Sequence, residues 1–320
     1  MAAYTGIQGQ NILIVSSDPA NPTEGQIWYN STSNLLKGYA NVVTNAWASG
    51  GNLNTARGTL SSTGSQTAAL AFGGFPVPSN GNKTESYNGT SWTNAPNLNT
   101  ARRNIGPAGT QTAALGFGGI GPSNATESFN GTSWTTLPAT LNTSRGALSG
   151  VGTQTAALGF GGTPNPTNGN KTESYNGTSW TSLADMNTAR GYLAGAGTQT
   201  AALGFGGAAS PDAFTESWNG SSWTSVNSMN TGRYGLGGGG TQTLAIAFGG
   251  GPNPVGGNKT EQYDGTSWSS LPTMGTSRYN LAGNGTQTLA LAIGGATPSD
   301  SAATEEWTGS SVQVRTITTS

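Results

Sequence analysis

Short apolar runs punctuate this chain at even intervals, separated by long polar stretches of Thr, Asn, Ser and Gly. Ala113–Phe117 is one such run: it follows Thr-Gln-Thr and ends at Gly118-Gly119. Gly-Gly pairs recur at Gly73, Gly118, Gly161, Gly206, Gly249 and Gly294, in steps of 45, 43, 45, 43 and 45 residues. A Gln opens each apolar run, at Gln66, Gln111, Gln154, Gln199, Gln242 and Gln287. After each Gly-Gly comes Thr-Glu with an aromatic two residues on, then a Trp at 92, 134, 180, 223 and 268, with Val312 in the sixth place. Asn-Thr-x-Arg or a variant of it opens each unit. No segment sustains a helical period, so the pattern predicts an all-β chain. Each unit divides into four short strands, typified by Gly191–Gly195, Thr198–Phe205, Thr172–Tyr175 and Trp180–Leu183. Asn-Gly at Asn88, Asn130, Asn176 and Asn219, and Asp264-Gly265, predict type I′ hairpins between the third and fourth strands. Four strands in a unit repeated six times predict a β-propeller.

Composition sharpens this picture. Gly supplies 52 of 320 residues, and the hydrophobic share is 33%. Taken alone, those values resemble low complexity; nine Trp, nine Tyr and eight Phe at regular positions argue for a packed core. Small residues such as Ala113-Ala114-Leu115-Gly116 are expected where blades converge on an axis, with the aromatics filling the gaps between blades. The loop lengths alternate, so the repeat is a two-blade unit occurring three times, with pseudo-threefold symmetry. Three double units give six blades. The alternative is seven, with residues 1–50 as a degenerate blade built from Ile12–Val15, Gln26–Tyr29, Leu35–Tyr39 and Ala46–Trp47. Residues 1–50 are therefore assigned as an attachment or closure segment and 51–320 as the propeller, with Ala46–Trp47 expected beside Val312–Ile317.

The missing residue types exclude much chemistry. There is no Cys and no His, which removes disulfides, thiolate metal sites, the commonest general base and the commonest metal ligand. Asp-rich calcium loops and phosphate-cradling loops are absent, and Gly237–Gly240 is a Gly run inside a repeat rather than a nucleotide site. A net charge of −1 supplies no basic field for nucleic acid. The N-terminus has no signal-peptide pattern and no membrane-spanning run, an arrangement expected of a protein made in a cytoplasm. The expectation is a non-enzymatic protein with no cofactor, no metal and no membrane insertion.

The Gly-Gly after the second strand, the aromatic after Thr-Glu and the later Trp together resemble a kelch repeat over about residues 50–318. The stretch Pro22-Thr23-Glu24-Gly25-Gln26-Ile27-Trp28-Tyr29-Asn30-Ser31-Thr32-Ser33-Asn34 resembles a segment common in bacteriophage tail and fibre proteins. Thr- and Asn-rich kelch-like arrays with Asn-Thr-Ala-Arg linkers are similar to phage virion proteins. That resemblance implies a virion component, made in the host cytoplasm and assembled with other virion proteins. A tail fibre or receptor-binding role on bacterial surface glycans is the first expectation, and a capsid decoration or head fibre the second. The kelch family also contains copper oxidases, whose site needs His and Cys that this chain lacks. A glycan-active enzyme is the remote third reading, because the repeated acids are equivalent rather than differentiated.

The charges mostly belong to the repeat. Six of eight Arg (Arg57, Arg102, Arg145, Arg190, Arg233 and Arg278) match six of 13 acids (Glu85, Glu127, Glu173, Glu216, Glu261 and Glu305). They are expected to pair within or between blades as a structural device; the competing reading is a ring of Arg for an anionic ligand. Lys83, Lys171 and Lys259 stand 88 residues apart, in the first, third and fifth units only. They are either solvated relics of duplication or a face for a threefold partner, three equivalent ligands or a homo-oligomer. Loops Phe75–Asn82, Thr163–Asn170 and Gly251–Asn258 carry neutral amides and hydroxyls suited to sugars.

Overall fold

A computed structural model describes residues 12–317 except 24, 43–44, 77–78, 121–123, 165–166, 209–211 and 253–256. Parts of the loops singled out above, and Glu24 of the phage-like segment, lie outside the described residues. The fold is all-β, with no helix among the described residues. The chain divides into two compact units, Met1–Asn45 with Gly309–Ser320, and Ala46–Thr308. The boundary expected at 50/51 is thus displaced, because the chain's last strand joins the N-terminal unit while Ala46–Ser49 joins the repeats.

Among its described residues the larger unit holds six four-stranded antiparallel sheets in a β-propeller-like arrangement. In sheet I the strands are Ser61–Gly64, Ala69–Phe72, Thr84–Tyr87 and Trp92–Ala95, paired in sequence order. Sheets II to V repeat that order, beginning at Gly106, Ser149, Ala194 and Gly237. Sheet VI takes Ala282–Gly285, Leu289–Ile293 and Thr304–Thr308 from its own unit, and its fourth strand is Ala46–Ser49. Trp47 pairs with Trp307 as Trp92 pairs with Tyr87. The sixth place in the Trp series therefore belongs to Trp47, not Val312. Nor does Ala46–Ser49 pair with the last strand: it pairs with Thr304–Thr308, while Val312 pairs with Asn41.

The strands are shorter than the pattern predicts, for local reasons. In sheet IV the first strand starts at Ala194 rather than Gly191, because Tyr192 adopts φ 57°. The turn after the third strand is a four-residue loop, since Tyr87 pairs directly with Trp92. Only its Gly89 has positive φ, so it is not the predicted type I′ turn. Asn88 serves it instead through its Oδ1, which accepts the amides of Thr90 and Ser91 at 3.0 and 2.9 Å.

Packing runs between neighbouring sheets. Leu70 and Phe72 of sheet I share a buried cluster with Ile105, Phe129 and Trp134 of sheet II. Phe72 and Trp134 lie 5.0 Å apart, and Phe117–Trp180, Phe160–Trp223, Phe205–Trp268 and Phe248–Trp47 repeat the contact at 4.7–5.1 Å. Each aromatic buries roughly 150–250 Å², which lets a Gly-rich chain sustain a core. The small residues expected on the axis from the second strand lie instead in the first. A Cβ on Gly283 would come within 2.6 Å of Gly238 N, and one on Gly239 within 2.8 Å of Gly285 O. Adjacent first strands meet there backbone to backbone.

The smaller unit is built differently. Leu13–Val15 pairs in parallel with Ile27–Asn30, which pairs antiparallel with Leu35–Val42, and that with Ser311–Thr316. Trp28 is fully buried. Asp18 accepts Trp28 Nε1 at 3.1 Å, Asn30 Nδ2 at 2.7 Å and Lys37 Nζ at 2.7 Å. Those donors, Lys37 first, hold the Asp18 carboxyl down at about 2.

Candidate binding site

The repeated charges are spent on the scaffold. Arg57 Nη2 meets Glu85 Oε1 at 2.9 Å, while its Nη1 donates to Gly73 O and Lys83 O at 2.9 and 2.7 Å. Glu85 Oε2 accepts the Asn54 amide at 2.6 Å. One buried ion pair thus ties the chain entering the sheet to the Gly-Gly loop and the third strand. Gly73 and Gly74, at φ 69° and 122°, let that loop turn where a side chain would be strained. Arg102–Glu127, Arg145–Glu173, Arg190–Glu216, Arg233–Glu261 and Arg278–Glu305 form the same pair, always within one sheet. All six Arg side chains are fully buried. Burial draws their pKa values down against the opposing pull of each Glu, to about 10 for Arg190 and Arg233. They remain charged at neutral pH and face no solvent-accessible ligand.

Two further contacts link each sheet to the one before it. The Trp indole donates to the Thr that starts the preceding sheet's third strand: Trp134 to Thr84 at 3.1 Å, and likewise round to Trp92–Thr304 and Trp47–Thr260 at 3.0 and 2.9 Å. Gln111 Nε2 reaches Ala69 O and Tyr87 O at 3.1 and 2.5 Å, and Gln66 reaches Ala290 O and Trp307 O at 3.2 and 2.6 Å. At the junction of sheets VI and I, Tyr87 Oη also donates to Glu306 at 2.5 Å. Burial first, then that hydrogen bond, pushes the Tyr87 phenol up to about 12.

The first strands surround an axial cavity of about 120 Å³. At one end lie Thr59, Asn104, Ala147, Tyr192, Gly235 and Asn280, each two residues after a repeat Arg and each at φ 53–58°. Their backbones form a head-to-tail cycle. Asn104 N donates to Thr59 O, Ala147 to Asn104, Tyr192 to Ala147, Gly235 to Tyr192, Asn280 to Gly235 and Thr59 to Asn280, all at 2.7–2.9 Å. Five non-Gly residues in the left-handed region are strained, a β-branched Thr most of all, and the cycle is what holds them there.

At this mouth the repeat breaks its own pattern. The residue after the repeat Arg is Gly at 58, 146 and 191, but Arg103, Tyr234 and Tyr279 in sheets II, V and VI. Tyr192 of the cycle, and Tyr234 and Tyr279 directly before cycle residues, stand on three consecutive sheets and are half-buried, as are Asn104 and Asn280 of the cycle. The Tyr234 ring covers Gly251, where a Cβ would lie 3.2 Å from its Cζ. Arg103 places its guanidinium 5.2 Å from the centre of the Phe75 ring of sheet I. Asp300 accepts the Gly58 amide, and its burial raises the carboxyl above the usual range. The sequence pattern drew attention to what repeats; the signal for this site was the set of residues that do not.

Lys83, Lys171 and Lys259 lie elsewhere, directly before the third strands, and none lines the axial cavity. Their surroundings are unequal. Lys171 Nζ pairs with Asp185 Oδ2 at 2.8 Å, whereas the corresponding positions beside Lys83 and Lys259 are Asn97 and Thr273. Among the described residues no cluster of acidic groups offers a metal site. The chain matches no protein-family model and no curated protein.

Proposed function

We propose that this is a non-enzymatic phage virion protein, a kelch-like six-bladed propeller that binds bacterial surface glycans as part of a tail fibre or receptor-binding structure. Support for six closed blades comes from the Trp–Thr, Gln and backbone contacts that pass from sheet to sheet and return from sheet VI to sheet I. The smaller unit's parallel strand pair argues against a seventh blade. The virion assignment rests on the phage-like segment Pro22–Asn34 and the kelch-like array.

The observation that carries the binding role is the mouth, where Tyr192, Tyr234, Tyr279, Asn104 and Asn280 replace small residues on a scaffold whose repeated charges are all internally paired. Flat aromatic faces and amide donors in a rigid ring suit the alternating apolar and hydroxyl surfaces of a sugar. The smaller unit, with Leu13 and Ile14 exposed at 50% and 70%, is the attachment to other virion proteins. Multiple copies on a particle supply avidity that single neutral contacts lack.

Purified protein is expected to bind host cells and compete with phage adsorption, and an antibody against it to label the tail of intact virions. Labelling confined to the head surface, with no competition, would favour the capsid decoration role. Absence from the particle would remove both.

A further inference from the structure

We infer that the mouth selects an anionic saccharide, with Arg103 as the residue that reads its negative charge; this rests on the glycan-binding reading above. In the larger unit Arg103 is the single Arg outside the six buried pairs. It has no carboxylate partner among the described residues, and its side chain is half-buried. The Phe75 face holds the guanidinium by a cation–π contact at 5.2 Å. That contact occupies one face of the planar group and leaves its edge donors free for a bidentate acceptor.

Its place in the chain puts this donor next to the site. Asn104, the next residue, belongs to the backbone cycle and lines the axial cavity. Tyr192 lines the cavity on sheet IV, Tyr234 and Tyr279 directly precede lining residues on sheets V and VI, and Arg103 does so on sheet II, so the surround of the mouth is aromatic on one side and cationic on the other. A sugar ring seated on the Tyr side presents a carboxylate or phosphate substituent to Arg103. Arg103 directly precedes a residue that lines the cavity, whereas Lys83, Lys171 and Lys259 stand before the third strands, apart in the chain from every lining residue.

The test is calorimetric titration of the full chain with three size-matched oligosaccharides: neutral, hexuronate-containing and phosphate-bearing. At least one anionic form is expected to bind about tenfold or more tighter than the neutral one, a margin that shrinks at high salt. Whichever anionic arm shows that margin identifies carboxylate or phosphate as the group read. Arg103→Gln is expected to bring anionic binding down to the neutral level, and Arg103→Lys to restore part of it. Tyr192→Ala is expected to weaken all three ligands alike, with circular dichroism confirming an unchanged fold. Equal binding of neutral and anionic ligands, or a margin that survives Arg103→Gln, overturns the inference and leaves glycan binding intact. Failure of all three ligands, together with failure to compete with adsorption, overturns the glycan reading itself.

Discussion

At the scale of single residues, the most consequential side chains are the ones that cannot leave. Each repeat Arg sits at full burial with its charge met by one Glu and several carbonyls. Breaking one partner of such a pair strands a charge in a dry interior, at a cost of about 3–5 kcal/mol. Glu127→Gln is therefore expected to lower thermal stability by that amount, and Arg102→Met with Glu127→Leu to recover much of it. A Glu127→Gln protein within about 1 kcal/mol of the parent would mean that the pair does not lock the sheet. The Arg–Glu matching is visible in the counts alone. What the counts leave open is the choice between pairing within a sheet and between sheets. That choice turns on which strands the fold places side by side, and the pairs span 25 to 28 residues of one sheet.

Among the elements, the smaller sheet is the one whose acid behaviour turns on a single carboxyl, Asp18. Asp18 draws together Trp28, Asn30 and Lys37, and its carboxyl titrates at about 2 against an ordinary 3.8. A depressed carboxyl stabilises the folded form fully above its unfolded value and loses that contribution as pH falls toward the folded one. The Trp28 indole N–H resonance should thus disperse normally at pH 5 and move toward its unfolded position between about 4 and 2. Asp18→Asn should abolish that acid step while weakening the sheet at neutral pH, and an unchanged step would assign it to another group. Little of this was legible beforehand. Asp18 and Lys37 are 19 residues apart with no repeat to relate them, and only the pairing of Ile27–Asn30 with Leu35–Val42 puts their partners on one face. The repeat strands were legible as elements, because each Thr-Glu, Gly-Gly and Trp marks a fixed place. Their ends were not: a left-handed residue such as Tyr192 terminates a strand for reasons of neighbouring backbone rather than local propensity.

For the molecule as a whole, the decisive contact is the return of Ala46–Ser49 to the sixth sheet. Trp47 packs 5.0 Å from Phe248 and donates to Thr260, as Trp134 does to Phe72 and Thr84. Trp134 is buried and Trp47 only partly so, so Trp134→Ala should cost about 3–5 kcal/mol and Trp47→Ala a smaller but clear share of that. Parallel thermal melts of the two variants would check this, and a neutral Trp47→Ala would show that sheet VI does not depend on its borrowed strand.

The sequence by itself determined the all-β class, the six-fold repeat, the charge matching and the absence of His and Cys chemistry, because each depends on residue identity and spacing along the chain. Tertiary structure alone decided that Trp47 rather than Val312 completes the series, that the first strands rather than the second line the axis, and that Thr59, Asn104, Ala147, Tyr192, Gly235 and Asn280 form one backbone cycle. The physical reason is common to all three. Each is a contact between different sheets, where hydrogen-bond partners are fixed by how sheets meet in space and not by their distance in sequence.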